Sequence, residues 1–323
     1  MTSYWNDFPG MPESLEKVSG IIQASVASQN PVIAEGLISL FGGDGKLLRP
    51  GLLLIASEFG KPQKEDKQFK LAAALEMLHV ATLIHDDVID DSPLRRGLPA
   101  VHTRFGKQDA VLIGDYLLSR CFLIAAGYTS PEHAVALAQV ISVICTMEIQ
   151  QNIDRYRADT SIRHYFRKIM GKTAMLFSLA CHVGASEAKA PKAVTERLRR
   201  AGYDIGMAFQ IIDDILDYSG DQDVVRKTLG NDLKAGVVTL PLICALSLDK
   251  SGELARATSR ESFPQADTEY IIGIVRSSGG IEAAREHAKR YTRRALTEIS
   301  GLPRGKARDM LEKLTQHLLI RNY

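Results

Sequence analysis

Apolar residues recur at three- and four-residue spacing over most of the chain. That period predicts helices near residues 13–28, 32–41, 50–59, 67–91, 108–126, 131–156, 161–184, 192–218, 239–248, 268–277, 280–299 and 304–321. In the segment 280–299, Ile281, Ala284, Ala288, Tyr291, Ala295 and Ile299 form one stripe. Alternation of the β type is scarce. The stretches LAAALEMLHVATLI and AVLIGDYLLSRCFLIAA are apolar almost all round, which predicts helices at the centre of a bundle. The expectation is an all-α, single-domain large helical bundle over residues 1–323, with central helices ringed by amphipathic ones. Breaks fall at FGGDGK, SPLRRGLP, RADTS, ASEAKAP and SGDQDVVRKTLGNDLKAG. The last is long and polar, as lids and ligand-binding loops are.

One pattern recurs. Asp86-Asp87-Val88-Ile89-Asp90 and Asp213-Asp214-Ile215-Leu216-Asp217 are both DDxxD, and each closes a long apolar helix. At i and i+4, Asp86 and Asp90 share a helix face, as do Asp213 and Asp217, and like charges at that spacing repel. A cation would relieve the repulsion. The candidate metal ligands are Asp86, Asp87, Asp90, Asp213, Asp214 and Asp217, an all-oxygen set that points to Mg²⁺ or Ca²⁺ and away from zinc. Magnesium is held by one or two carboxylates, water and phosphate oxygens. Two such helix ends facing each other across a cavity would clamp a diphosphate.

A diphosphate clamp also needs cations, and several lie nearby in sequence. Arg95 and Arg96 follow the first cluster, Lys172 and Thr173 lie in IMGKTAMLF, and Lys227 lies in the loop after the second cluster. Lys46 and Arg49 follow the turn GGDG, just before Pro50. His79 stands seven residues before Asp86, and Gln210 three before Asp213, each on the aspartate's own helix face. Gly171-Lys172-Thr173 is not a phosphate-binding P-loop, because the upstream glycine and strand are missing.

Composition narrows the choice. The chain has 323 residues, and its 40 basic and 38 acidic side chains leave a net charge of +2, so no global field gathers nucleic acid. Cys121, Cys145, Cys181 and Cys244 stand singly in apolar sequence and read as buried thiols of a reducing compartment. MTSYWNDFPGMPESLEK lacks the basic start and apolar core of a signal peptide. No apolar run is expected to span a bilayer, because Glu76, His79, Asp115 or Arg120 interrupts each candidate. A cytoplasmic protein without a transmembrane segment is expected.

The motifs GGDGKLLRP, EMLHVATLIHDDVIDDSPLRRGLPAVH, VLIGDYLLSR, GKTAMLF, FQIIDDILDY and GNDLKAGVVTLPLI occur in that order. Through them the chain resembles the trans-isoprenyl (polyprenyl) diphosphate synthases, with the likeness running from about residue 40 to 245. The resemblance implies the isoprenoid synthase fold with a central active-site cavity. It also implies Mg²⁺-dependent 1′-4 condensation of isopentenyl diphosphate with an allylic diphosphate, three Mg²⁺ per loaded site, and a homodimer. A small accessory subunit remains open, and the product would partition to the membrane. By resemblance Asp86, Asp90 and Asp213 are direct metal ligands, supported by Asp87, Asp214 and Asp217. Arg95, Lys172 and Lys227 contact the allylic diphosphate. Lys46, Arg49, His79 and Arg96 form the isopentenyl diphosphate site, and Thr173 and Gln210 stabilise the carbocation. Val237 stands where the family frequently has lysine, so a less charged lid is expected. Ala81 and Thr82 stand where a bulky aromatic would stop chain growth early. Their small size implies a product of C20 or more, with a stopper near Leu78, Phe122 or Met147; His79 within EMLH leans towards C30–C50, with C20 as the alternative. A terpene cyclase would carry an Asn/Ser/Glu motif in place of the second DDxxD. A non-catalytic subunit would have lost aspartates.

Overall fold

Glycine and proline set many helix boundaries in the structure, a computed structural model that describes residues 3–27, 30–41, 45–62, 66–95, 97–219, 229–259 and 262–319. Helix α1 (Met11–Val26) starts after Gly10 in the left-handed conformation, with Pro12 in its first turn. Pro31 opens α2 (Pro31–Phe41). The chain continues through α3 (Leu48–Ser57), α4 (Lys67–Ile89), the strands β1 (Leu94–Arg95) and β2 (Leu98–Pro99), and α5 (Val101–Phe105). There follow α6 (Lys107–Tyr128), α7 (Pro131–Ile153), α8 (Ile162–Ile169), a π-helical turn (Met170–Ala174) and α9 (Met175–Glu187). The remainder is α10 (Lys192–Ser219), α11 (Asn231–Lys234), α12 (Leu240–Leu248), α13 (Glu253–Thr258), α14 (Gln265–Ser277), α15 (Gly280–Ser300) and α16 (Lys306–Leu319). The architecture is all-α, and the helices follow the periodic segments of the sequence within a few residues. The short elements β1, β2, α5, α11 and α13 lack enough turns to show a period.

Contacts group the chain into two compact units, residues 1–136 with 180–196 and residues 137–179 with 197–323. In the first, α4 packs along α6 and against α1 and α3. Leu71 to Leu78, Val80, Ala81 and Ile84 of α4 are all buried, as its unbroken apolar sequence predicts. In the second, α12 packs along α15, and α15 against α16. Its core joins Tyr165, Ile211, Ile215 and Tyr218 to Leu242, Ile271, Val275 and Tyr291.

Three expectations are corrected. Helix α6 is not buried all round: Ala110, Ile113, Leu117 and Cys121 face inward, while Leu112 and Leu123 on the opposite side are 58% and 61% exposed. Cys145 is exposed on α7, whereas Cys121, Cys181 and Cys244 are buried. By length and composition α6 and α7 are apolar enough to cross a membrane, because averaged hydropathy outweighs the few charges within them. Those charges still count against a span, since Asp115 and Arg120 of α6 would each cost roughly 3 kcal/mol at a bilayer centre.

The last residue of α9 anchors the first unit. The Glu187 carboxylate accepts from Lys67 Nζ at 2.6 Å, Thr129 Oγ1 at 2.6 Å and the Ser130 N–H at 2.9 Å, and pairs with His133 Nδ1 at 2.5 Å. Burial pushes its pKa up, but the bonds from Lys67, Thr129 and His133 outweigh burial and hold it at about 2. Because the folded value lies below the unfolded one, this stabilisation is present above about pH 4.5 and is lost as pH falls toward 2. Glu187→Gln should therefore cost on the order of 3 kcal/mol near neutral pH. In urea titrations the gap from wild type should narrow steadily below about pH 4.5.

Candidate active site

Both acidic motifs end helices that carry no basic residue in the last turn. Carboxylates there oppose the negative end of the helix dipole and one another, a local cost that folding alone gives no reason to bear. Within each motif the aspartates divide. Consecutive helical residues point about 100° apart, so the second aspartate falls on the apolar stripe while the first does not. Val80, Ile84 and Asp87 form one buried row, and Ile211, Asp214, Ile215 and Tyr218 another.

Asp87 is buried and holds Arg95 in a two-point pair, Nη2 to Oδ1 at 2.7 Å and Nε to Oδ2 at 3.1 Å. Burial raises the Asp87 pKa, and the Arg95 guanidinium opposes that rise. Arg95 is fixed from the other side by its strand, since β1 and β2 pair antiparallel with Arg95 opposite Leu98. Gly97 at φ +79° supplies the left-handed turn between them. Asp86 and Asp90 are partly exposed at the same helix end. Arg96 lies outside the described residues.

At the second motif, Asp214 accepts from Tyr165 Oη at 2.6 Å and from Gln210 Nε2 at 2.8 Å. Burial lifts its pKa to about 6 against the pull of these two bonds. Asp217 caps α11, its two oxygens accepting the Asn231 and Asp232 N–H groups at 3.1 Å each. Asp213 is exposed. The Gln210 amide is used at both ends, because its Oε1 accepts from Thr173 Oγ1 at 2.7 Å. A chain from Thr173 through Gln210 to Asp214 and Tyr165 thus fixes the threonine hydroxyl with its lone pairs unspent on that donation.

The π-helical turn delivers Lys172 and Thr173, as such turns do at functional sites. Lys172 Nζ stands 2.9 Å from Glu148 Oε1 on α7. Lys227 lies outside the described residues. Val237 is described: its N–H donates to the Asp232 carbonyl at 2.8 Å, in the turn that follows α11.

The first unit holds the residues read as an isopentenyl diphosphate site. The Lys46 carbonyl accepts from Trp5 Nε1 at 2.6 Å, and its ammonium lies 5.6 Å from the centre of the Tyr4 ring. Burial lowers the Arg49 pKa to about 10, and the Glu76 carboxylate of α4 opposes that fall. His79 lies one turn beyond Glu76 and is partly buried. Ala81 is fully buried and Thr82 partly so, its hydroxyl bonded to the His79 carbonyl. Leu78 is fully buried, whereas Phe122 is 45% exposed on the outer face of α6.

Sequence reasoning missed Glu148, Tyr165, Glu76 and Trp5. Two left a trace: Glu148 ends an uncharged run from Ala134 to Met147, and Tyr165 lies two turns before Lys172. Trp5 left none, because only the folded chain brings it to Lys46.

The oxygen donors fit a divalent metal. Asp87, Asp214 and Asp217 are engaged by the protein donors named above. Asp213 is exposed, and Asp86 and Asp90, like Asp217, are partly exposed, so an ion can reach them. Among the described residues no three carboxylate, imidazole or thiolate groups converge into a finished cage. Sparse carboxylates of this kind suit an ion whose shell is completed by water and phosphate oxygens.

The polyprenyl synthetase family profile matches residues 30–275. The chain is 36% identical over 313 residues to the heptaprenyl diphosphate synthase component 2 of Geobacillus stearothermophilus, covering 97% of each. The crystal structure of a Lactobacillus brevis geranylgeranyl pyrophosphate synthase superposes with a TM-score of 0.91 at 37% identity, covering 99% of each chain. That of a Caulobacter crescentus polyprenyl synthase, complexed with calcium and isoprenyl diphosphate, gives a TM-score of 0.90 at 33% identity, with 96% of this chain and 95% of that one covered. With a profile spanning most of its length and relatives alike from end to end, this chain belongs to the polyprenyl synthetase family of prenyltransferases.

Proposed function

We propose that the chain is an all-trans polyprenyl diphosphate synthase that adds isopentenyl diphosphate units to an allylic diphosphate primer, with Mg²⁺ as its metal and a product of C30–C50. The observation that carries this reading is the division of labour within each DDxxD. The middle aspartate is internalised, tied to Arg95 in one case and to the Gln210 amide in the other. The outer carboxylates Asp86, Asp90 and Asp213 would hold the metal ions, three per loaded site. When bound, the ions would neutralise negative charge on the leaving diphosphate.

The chain's own residues then have distinct tasks. The allylic C–O bond breaks with its electron pair leaving on the diphosphate, and Arg95 and Lys172 would hold that group as its charge grows. Lys227 is assigned the same task by its motif. Thr173, whose hydroxyl donates to Gln210 Oε1, would turn oxygen lone pairs toward the allylic cation. Lys46, Arg49, His79 and Arg96 would bind the isopentenyl diphosphate, whose double bond forms the new C–C bond. The proton lost in that step passes to the departed diphosphate. No side-chain nucleophile is required.

Tail length is a steric matter of α4. Ala81 and Thr82 lie five and four residues before Asp86 and are small. Similarity over the full chain to a heptaprenyl synthase component favours a long product. The similarity to a geranylgeranyl pyrophosphate synthase keeps C20 as the second reading. Ala81→Phe should shift the product to shorter chains, read by chromatography of the dephosphorylated products; an unaltered length distribution would remove this position from the account.

We assign the outward apolar residues of α6 and α7 to a second copy of the chain. Leu112 and Leu123 of α6, and Val135, Ile149 and Ile153 of α7, are exposed apolar side chains. The alternative occupant is a small accessory subunit, in keeping with a relative named as one component of its enzyme. Three buried unpaired thiols favour the cytoplasm, with the product passing to a membrane. The function is tested by incubating the pure protein with isopentenyl diphosphate, farnesyl diphosphate and Mg²⁺. Chains of C30–C50 support the reading, C20 supports the second, and binding of diphosphates without any product would make the chain a non-catalytic subunit.

A further inference from the structure

We infer that Glu148 is a positioning residue that sets how tightly Lys172 grips the diphosphate, and thereby how fast diphosphate leaves. The inference rests on the reading above that Lys172 contacts that group. Glu148 Oε1 stands 2.9 Å from Lys172 Nζ, and its side chain is only 12% exposed. Its other oxygen accepts from Gln151 Nε2 at 3.3 Å, so the carboxylate is held at both ends. The backbone beneath the pair is equally fixed: a Cβ on Gly171 would lie 2.3 Å from Met147 Cγ and 3.1 Å from Val143 Cγ1. The π-helical turn and α7 therefore touch at the residues next to the pair.

Two consequences follow from this geometry. The carboxylate aims the flexible lysine, which reduces the entropy lost when a phosphate arrives. It also places a fixed negative charge beside the anion-binding ammonium, and that charge repels the diphosphate in a partly desolvated setting. A chain-elongating enzyme must release inorganic pyrophosphate after every addition, and release steps commonly limit turnover. Glu148 thus tempers a cation that would otherwise hold its product too firmly. Arg95 is held in the same way by Asp87, but with a fork that retains further donors for the substrate.

The test uses the full-length protein with Mg²⁺, and inorganic pyrophosphate as the probe in calorimetry and as a product inhibitor. Glu148→Gln keeps the size and an acceptor oxygen but loses the charge. It should bind pyrophosphate about tenfold tighter, roughly what one charge-assisted contact is worth. Its kcat should fall while KM for isopentenyl diphosphate stays unchanged. Glu148→Asp keeps the charge but draws it back from the lysine, and should give an intermediate affinity. A merely structural residue would weaken pyrophosphate binding when replaced. Lys172→Ala separates the layers of the argument. If it weakens binding while folded Glu148→Gln leaves binding unchanged or weaker, the inference fails and the Lys172 assignment stands. If Lys172→Ala binds pyrophosphate like wild type, the Lys172 assignment itself fails, and the inference with it.

Discussion

Asp213→Ala should lower kcat by about a thousandfold, the scale of losing one strong contact made to charge that develops in the transition state. The fold should not suffer. Asp213 is exposed, and it sits near the C-terminal end of α10 one turn from Asp217 and next to Asp214. Removing it relieves repulsion within the motif and an unfavourable meeting with the helix dipole, so the melting temperature should hold or rise slightly. Titrating Mg²⁺ should recover little activity if, as proposed, the lost group is a metal ligand. Asp214→Ala should behave differently. Its carboxylate is buried and holds Tyr165 and Gln210, so stability and activity should fall together. The contrast between these neighbours separates the proposed metal ligand from the buried aspartate that holds Tyr165 and Gln210. An Asp213→Ala enzyme with undiminished turnover would end the metal assignment.

Gly206→Val should destabilise the protein by about 3 kcal/mol or more, at the upper end of overpacking costs because backbone must move. A Cβ at position 206 would lie 2.6 Å from Ala174 Cα, 3.2 Å from Ala174 Cβ and 3.1 Å from Phe177 Cβ. None of these is the end of a flexible side chain, so α10 and the π-helical turn would have to separate. The separation acts where the Thr173 hydroxyl meets Gln210, one turn along α10 from position 206. Turnover should therefore fall even at temperatures where the variant stays folded. Gly273 is the control: it lies on α14, and a Cβ there would meet nothing within 4 Å. Gly273→Ala should stabilise by up to about 1 kcal/mol through helix propensity alone. If both substitutions shift the thermal midpoint alike, the close approach at Gly206 is not what sets the cost.

The division between what sequence shows and what packing adds is clear in α4 and α6. Both are long and apolar, and hydropathy treats them alike. Helix α4 is buried on nearly every side, while α6 leaves Leu112, Phe122 and Leu123 outside. Periodicity reports that a residue avoids water but not whether its own chain or another molecule covers it. IMGKTAMLF likewise reads as continuous helix, yet Met170–Ala174 within it is a π-helical turn, with Gly171 against Met147 of a distant segment. No local propensity encodes that contact.

The sequence by itself determined the helical architecture and the two acidic helix ends, because a 3.6-residue period and i,i+4 charge repulsion are properties of a single helix. It also contained the motifs that place the chain in its family. Only the tertiary structure decided that Arg95 rests on Asp87 and Lys172 on Glu148, and that Trp5 supports the Lys46 backbone. The reason is physical. Each of these pairings joins side chains whose meeting depends on how elements pack or turn back, and the desolvation that gives a pairing its strength exists only once those elements have packed.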